Sequence, residues 1–135
     1  MNQTITCTSR IHRLAIIASG IAEMSNIHRF RHGALLYKGS RILNTSCNKL
    51  SYTKFGGRFR DANCGIPTIH AELGVILGIP RHILQGADVF VVRLMRAGHF
   101  GLSKPCEMCR AAMQHVGIRR VIYSHNKTEF KQIRL

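Results

Sequence analysis

The chain has 135 residues, 45% of them hydrophobic, which is enough to bury a core in one domain and too apolar for a disordered polymer. Twenty Lys and Arg oppose six Asp and Glu, a formal charge of +14 that points to a polyanionic partner, nucleic acid before an anionic membrane surface. No apolar run is long enough to span a bilayer, and five cysteines, an odd number, exclude a closed disulfide framework and favour a reducing, intracellular setting over secretion.

Arg10 and Arg13 precede an apolar stretch over 14–22 that has some features of a targeting segment. Ile11, Leu14, Ala15, Ala18, Ile21 and Ala22 instead follow a 3.6-residue period, which predicts an amphipathic helix over 9–26 with Ser9 as its N-cap. His28 to His32 is a basic connection. Residues 34–37 and 42–47 read as two strands around a tight Lys38-Gly39-Ser40 turn. A long polar loop over 48–69 follows, and loops of that length are often functional. A helix is predicted over 70–77, ahead of Gly78 and Pro80, then a buried strand over 88–94 and a second long loop over 95–105. Pro105 suits the first position of a helix that runs to Val116 and stops at Gly117. Residues 121–123 form another strand. The remaining residues to Leu135 are too few for a parallel crossover, so a last strand within 129–135 must return antiparallel through His125-Asn126-Lys127. The expected fold is a layered α/β domain in which helices cover a five-stranded mixed sheet.

Two clusters carry the chemistry. His70-Ala71-Glu72 is followed by Pro105-Cys106-Glu107-Met108-Cys109. One nitrogen and two sulfur ligands suit a zinc ion with a fourth position open to water. Cys106 and Cys109 share a face in the first turn of their helix, where the helix dipole favours thiolates. Glu72 stands where one carboxylate can serve as base and then as acid. A zinc ion that only held the fold would need a fourth protein ligand, from His99, Cys64 or another histidine. Cys7, Cys47 and Cys64 otherwise read as inert thiols. The H-x-E…P-C-x-x-C order is that of zinc nucleobase deaminases.

The chain resembles the cytidine deaminase superfamily over roughly residues 31–123. The likeness rests on Gly33-Ala34-Leu35-Leu36, Asn48, His70-Ala71-Glu72-Leu73, Pro105-Cys106-Glu107-Met108-Cys109 and Arg120-Val121-Ile122-Tyr123. The stretch from Met108 to Met113 is similar to the tRNA adenosine and deoxycytidylate deaminase branches. The short C-terminal hairpin resembles free-cytidine and some bacterial toxin deaminases. The resemblance implies a three-layer cytidine-deaminase-like fold whose last two of five strands are antiparallel. It implies zinc held by His70, Cys106 and Cys109, with Glu72 as proton shuttle. It also implies that Asn48 holds the nucleotide sugar and that the Ala71 N–H meets the base carbonyl. Ser103 and Lys104 fall in the segment whose backbone meets the exocyclic amine.

Cytosine is favoured over adenine, because nothing near Asn48 supplies an adenosine-specific pocket. Phe55, Phe59 and Phe100 fall in basic loops, as a groove that stacks single-stranded bases requires. Arg29, Arg31, His32, Arg58 and Arg60 would meet the backbone, and each neutralised phosphate releases counterions. The expectation is therefore deamination of cytosine to uracil in single-stranded DNA or RNA, with no membrane partner. One alternative is a free cytidine or deoxycytidylate deaminase, whose basic residues bind phosphate and whose size suggests an oligomer. The other is a non-catalytic zinc-containing nucleic-acid-binding module, against which the intact Glu72 argues.

Overall fold

Alternation along the central strands decides the architecture. In β4 (Asp88–Leu94), Val89 and Val91 join one core while Phe90 and Val92 join another, because successive strand side chains point to opposite faces. β2 (Arg31–Lys38) does the same, with Ala34 and Leu36 on the first face and Leu35 and Tyr37 on the second. A sheet buried on both faces needs helices on both sides, and the result is three layers. The computed structural model describes residues 2–49 and 69–135.

The second face is covered by α1 (Ser9–Ala22) through Leu14, Ala15 and Ala18. The predicted stripe is the buried one, but the N-cap is Thr8, whose side-chain oxygen accepts from the Ile11 N–H at 3.2 Å; Ser9 is the first helical residue. Gly33 of β2 passes so close beneath α1 that a Cβ there would lie 2.2 Å from the Ala18 carbonyl oxygen. The first face is covered by α2 (Ala71–Ile76) and by the helix after Pro105. Pro80 caps a further short helix, α3 (Arg81–Leu84), that the periodicity did not reveal.

Among the described residues the sheet has seven strands where five were expected. Beside β2 and β4 it contains β1 (Asn2–Ile5), β3 (Arg41–Cys47), β5 (Phe100–Gly101), β6 (Arg120–Ser124) and β7 (Phe130–Arg134). The order is β1-β7-β6-β4-β2-β3, and β5 pairs with β4. β4 and β6 are parallel and all other pairs antiparallel. The crossover between the parallel pair contains α4 (Glu107–His115), which begins after Cys106 and not at Pro105. β7 returns antiparallel as predicted, through a turn in which the Asn126 side-chain oxygen accepts from the Thr128 and Glu129 N–H groups. The two additional strands lie at the margins: β1 borders β7, and β5 is a two-residue strand inside the expected loop over 95–105. At the start of β4, buried Asp88 accepts from the guanidinium groups of both Arg119 and Arg120. None of the described helices is long and apolar enough to cross a membrane.

Candidate metal centre and active site

Two helix N-termini meet at the sheet end where β2 begins and β3 and β4 finish. A β-bridge between Lys49 and Ile69, with N···O distances of 2.9 and 3.0 Å, returns the chain to the end of β3 and sets His70 there as the N-cap of α2. Cys106 is the N-cap of α4, and Cys109 follows in its first turn. Packing of α2 and α4 on the same sheet face joins the two clusters.

His70 Nδ1 is 3.2 Å from Cys109 Sγ and 3.6 Å from Cys106 Sγ. The three ligand atoms lie within 4.8 Å of one another. Zinc-ligand bonds of about 2.0–2.3 Å in a tetrahedron put ligand atoms roughly 3.5 Å apart, so this donor set fits the ion. Hydrogen bonding from Cys109 and then from His70 brings the Cys106 thiol down to about 4 against the opposing effect of burial, and the thiolate is the form that ligates metal. Glu72 is 6% exposed, and burial raises its carboxyl above the ordinary range, with His70 the largest opposing influence. A carboxyl that holds its proton more firmly than usual, beside a metal cluster, is suited to passing protons. Among the described residues the cluster contains three protein ligands, and His99 is not one of them; Cys64 lies outside the described residues.

The substrate-side residues divide. Ala71 opens α2, where a backbone N–H has no acceptor within the helix. Ser103 is buried and Lys104 exposed immediately before Pro105. Asn48 is also buried, and its amide is engaged with protein: its oxygen accepts from the His32 N–H at 2.9 Å and its nitrogen donates to the Phe30 carbonyl. His32 is a strand residue whose Nδ1 lies 2.8 Å from Ser103 Oγ. The sequence patterns did not reveal this pairing, since the partners are far apart in the chain.

The basic and aromatic residues divide as well. Arg29 is exposed, with its guanidinium 5.8 Å from the Phe30 ring centroid. Arg31 opens β2 and donates to the Met95 carbonyl at 3.2 Å. Phe100 does not lie in an open loop. It belongs to β5, and its half-buried ring packs edge-on against Phe130 at 5.8 Å on the α1 side of the sheet. Phe55, Arg58, Phe59 and Arg60 lie outside the described residues.

An α/β layer that presents one imidazole and two thiols from paired helix starts, with a buried carboxylate alongside, defines the class of zinc-site hydrolytic deaminases. The family profile described as the cytidine and deoxycytidylate deaminase zinc-binding region matches residues 6–125, and the chain belongs to that family. Among solved structures, dCMP deaminase from the cyanophage S-TIM5 in apo form is similar at a TM-score of 0.59 and 19% identity, over 84% of this chain and 81% of that one. The same enzyme in complex with dCMP and dUMP is similar at 0.57 and 20%, over 86% and 82%. No curated protein matches the sequence.

Proposed function

We propose that the protein is a zinc-dependent hydrolytic deaminase of cytosine carried on a phosphorylated sugar, with a mononucleotide of the deoxycytidylate type as substrate. The observation that carries the reading is the buried Glu72 carboxyl beside the His70, Cys106 and Cys109 cluster. When bound, zinc supplies Lewis acidity that makes water ionise near neutral pH. Glu72 carries one proton from the water to the ring nitrogen and a second, from the hydroxyl newly added to the amine-bearing carbon, to the amine, which leaves as ammonia when the C–N bond breaks. The Ala71 N–H orients the base through its carbonyl, and the Ser103-Lys104 backbone faces the amine.

Two observations move the substrate from a strand, the first expectation, toward a mononucleotide. Two of the similar solved structures are of one dCMP deaminase, in one case holding dCMP and dUMP. Phe100, one of three rings assigned to a stacking groove, faces the core. Single-stranded DNA or RNA stays as a second reading, carried by the formal charge of +14. The test incubates zinc-loaded protein with dCMP, cytidine, single-stranded DNA, RNA and duplex DNA and measures uracil formation. Preferred turnover of dCMP supports the reading. Strand turnover at higher efficiency than dCMP overturns the mononucleotide assignment. Complete inactivity of zinc-replete protein overturns the deaminase assignment and favours the binding module.

A further inference from the structure

Two stretches of chain without a single carboxylate face each other at the metal-cluster end of the sheet. Residues 24–49 and 89–106 contain no Asp or Glu. Between them lies a cleft of about 490 Å³ lined by His28, Arg29, Met95 and Arg96, within the size range of small-molecule sites. The only ion pairs among the described residues join Arg119 and Arg120 to Asp88, so no carboxylate among the described residues pairs with Arg29 or Arg96. Uncompensated guanidinium groups in a concave wall focus a positive field and attract an anion.

The walls are fixed to each other and to the site. Arg31 reaches across to the Met95 carbonyl at 3.2 Å, and the Arg93 guanidinium stacks on the Phe30 ring at 4.8 Å. Among the described residues the buried Nε donors of Arg31 and Arg93 have no hydrogen-bond partner. From Arg29 the chain runs to His32, whose ring meets Ser103 beside the Pro105-Cys106 start of α4. Arg29 lies in the turn just ahead of β2, so the cleft opens three residues from His32 in the chain.

We infer that this cleft is a phosphate cradle, in which Arg29 and Arg96 grip a phosphate ester of the substrate while the base reaches the metal cluster. The inference rests on the proposed function and adds a recognition site to it. Bidentate guanidinium-phosphate contacts are charge-assisted and geometrically matched, and His28 adds a third donor. Phosphate would then decide which cytosine compounds are accepted.

The test measures binding of inorganic phosphate, dUMP and deoxyuridine to zinc-loaded protein by calorimetry, in wild type, Arg29→Ala, Arg96→Ala and Arg96→Lys. Expected is dUMP binding at least about tenfold tighter than deoxyuridine, with each alanine variant lowering that ratio by about tenfold and Arg96→Lys restoring part of it. An equal loss for dUMP and deoxyuridine, or no loss, overturns the cradle. A dU-centred trinucleotide without terminal phosphates separates the two sources of phosphate. If it binds more tightly than dUMP through the same arginines and with a steeper salt dependence, the ester is a strand phosphodiester; weaker binding assigns a terminal monoester. Failure of the two proposals is distinguishable. Arginine-dependent dUMP binding without any turnover removes the deaminase reading and keeps the cradle. Equal turnover of dCMP and cytidine, indifferent to both arginines, keeps the deaminase and removes the cradle.

Discussion

His32 Nδ1 lies 2.8 Å from the Ser103 hydroxyl, and this contact ties β2 to the segment that leads into Cys106. Asn48 holds His32 from behind: its side-chain oxygen takes the His32 N–H, and its own N–H donates to the His32 carbonyl at 3.2 Å. The Ser103 N–H donates in turn to the Ser124 carbonyl at 2.9 Å. The ring is thus a strut between β2 and the segment ahead of α4. His32→Ala leaves the Ser103 hydroxyl buried without this partner and loosens the segment 103–105. Turnover should fall by about tenfold to a hundredfold, in kcat more than in KM, as small misplacements of reacting groups do. His32→Gln should recover part of the loss. Steady-state kinetics on dCMP checks this, and unchanged kcat in His32→Ala would remove the positioning role.

The same ring makes a prediction about pH. Burial first, then the charges of Arg93 and His70, lower its pKa from 6.5 to about 4. The folded state therefore prefers neutral imidazole, and the unfolded chain binds the proton first as pH falls. The stabilisation is complete above pH 6.5 and is lost progressively between 6.5 and about 4, with a slope of at most about 1.4 kcal/mol per pH unit. Denaturant unfolding across this window should show a shallower pH dependence in His32→Gln than in wild type. Parallel curves would refute the assignment.

Glu72→Gln should abolish turnover, by at least about a hundredfold, while retaining zinc. Burial penalises the ionised carboxyl, so the neutral amide should melt at the same temperature or higher. Elemental analysis with thermal melting separates these effects. Retained activity would take the proton-shuttle role away from Glu72.

Cys106→Ser removes one of three clustered ligands, and metal content should fall with the melting temperature. Chelation of wild type should lower its melting temperature in the same direction, and readdition of zinc should restore it. A Cys106→Ser protein that keeps stoichiometric zinc would contradict the ligand set.

Gly33→Ala places a Cβ 2.2 Å from the Ala18 carbonyl oxygen and 2.6 Å from the Ala22 nitrogen, both in helix backbone that cannot swing aside. The expected cost is about 1–3 kcal/mol or more. Gly20→Ala, where a Cβ meets nothing within 4 Å, should stabilise α1 by about 0.5–1 kcal/mol. Urea unfolding of both variants tests whether the approach of α1 to β2 is as close as described.

The sequence by itself determined what near neighbours in the chain encode. The apolar spacing of Leu14, Ala15 and Ala18 made a one-sided helix, and alternation through Val89 to Val92 made a strand buried on both faces. The order of His70, Glu72, Cys106 and Cys109 carried the metal chemistry. Tertiary structure alone decided the rest. Asn2–Ile5 has no apolar alternation and is a strand because β7 offers it an edge. Phe100 sits in a basic stretch that reads as loop, yet pairing with β4 brings its ring against Phe130. The Asn48 amide, the His32 ring and the Arg31 guanidinium take partners from segments distant in sequence. Helical and strand periodicity are properties of adjacent residues, whereas an edge pairing or a buried hydrogen bond exists only after folding has brought both partners to one place.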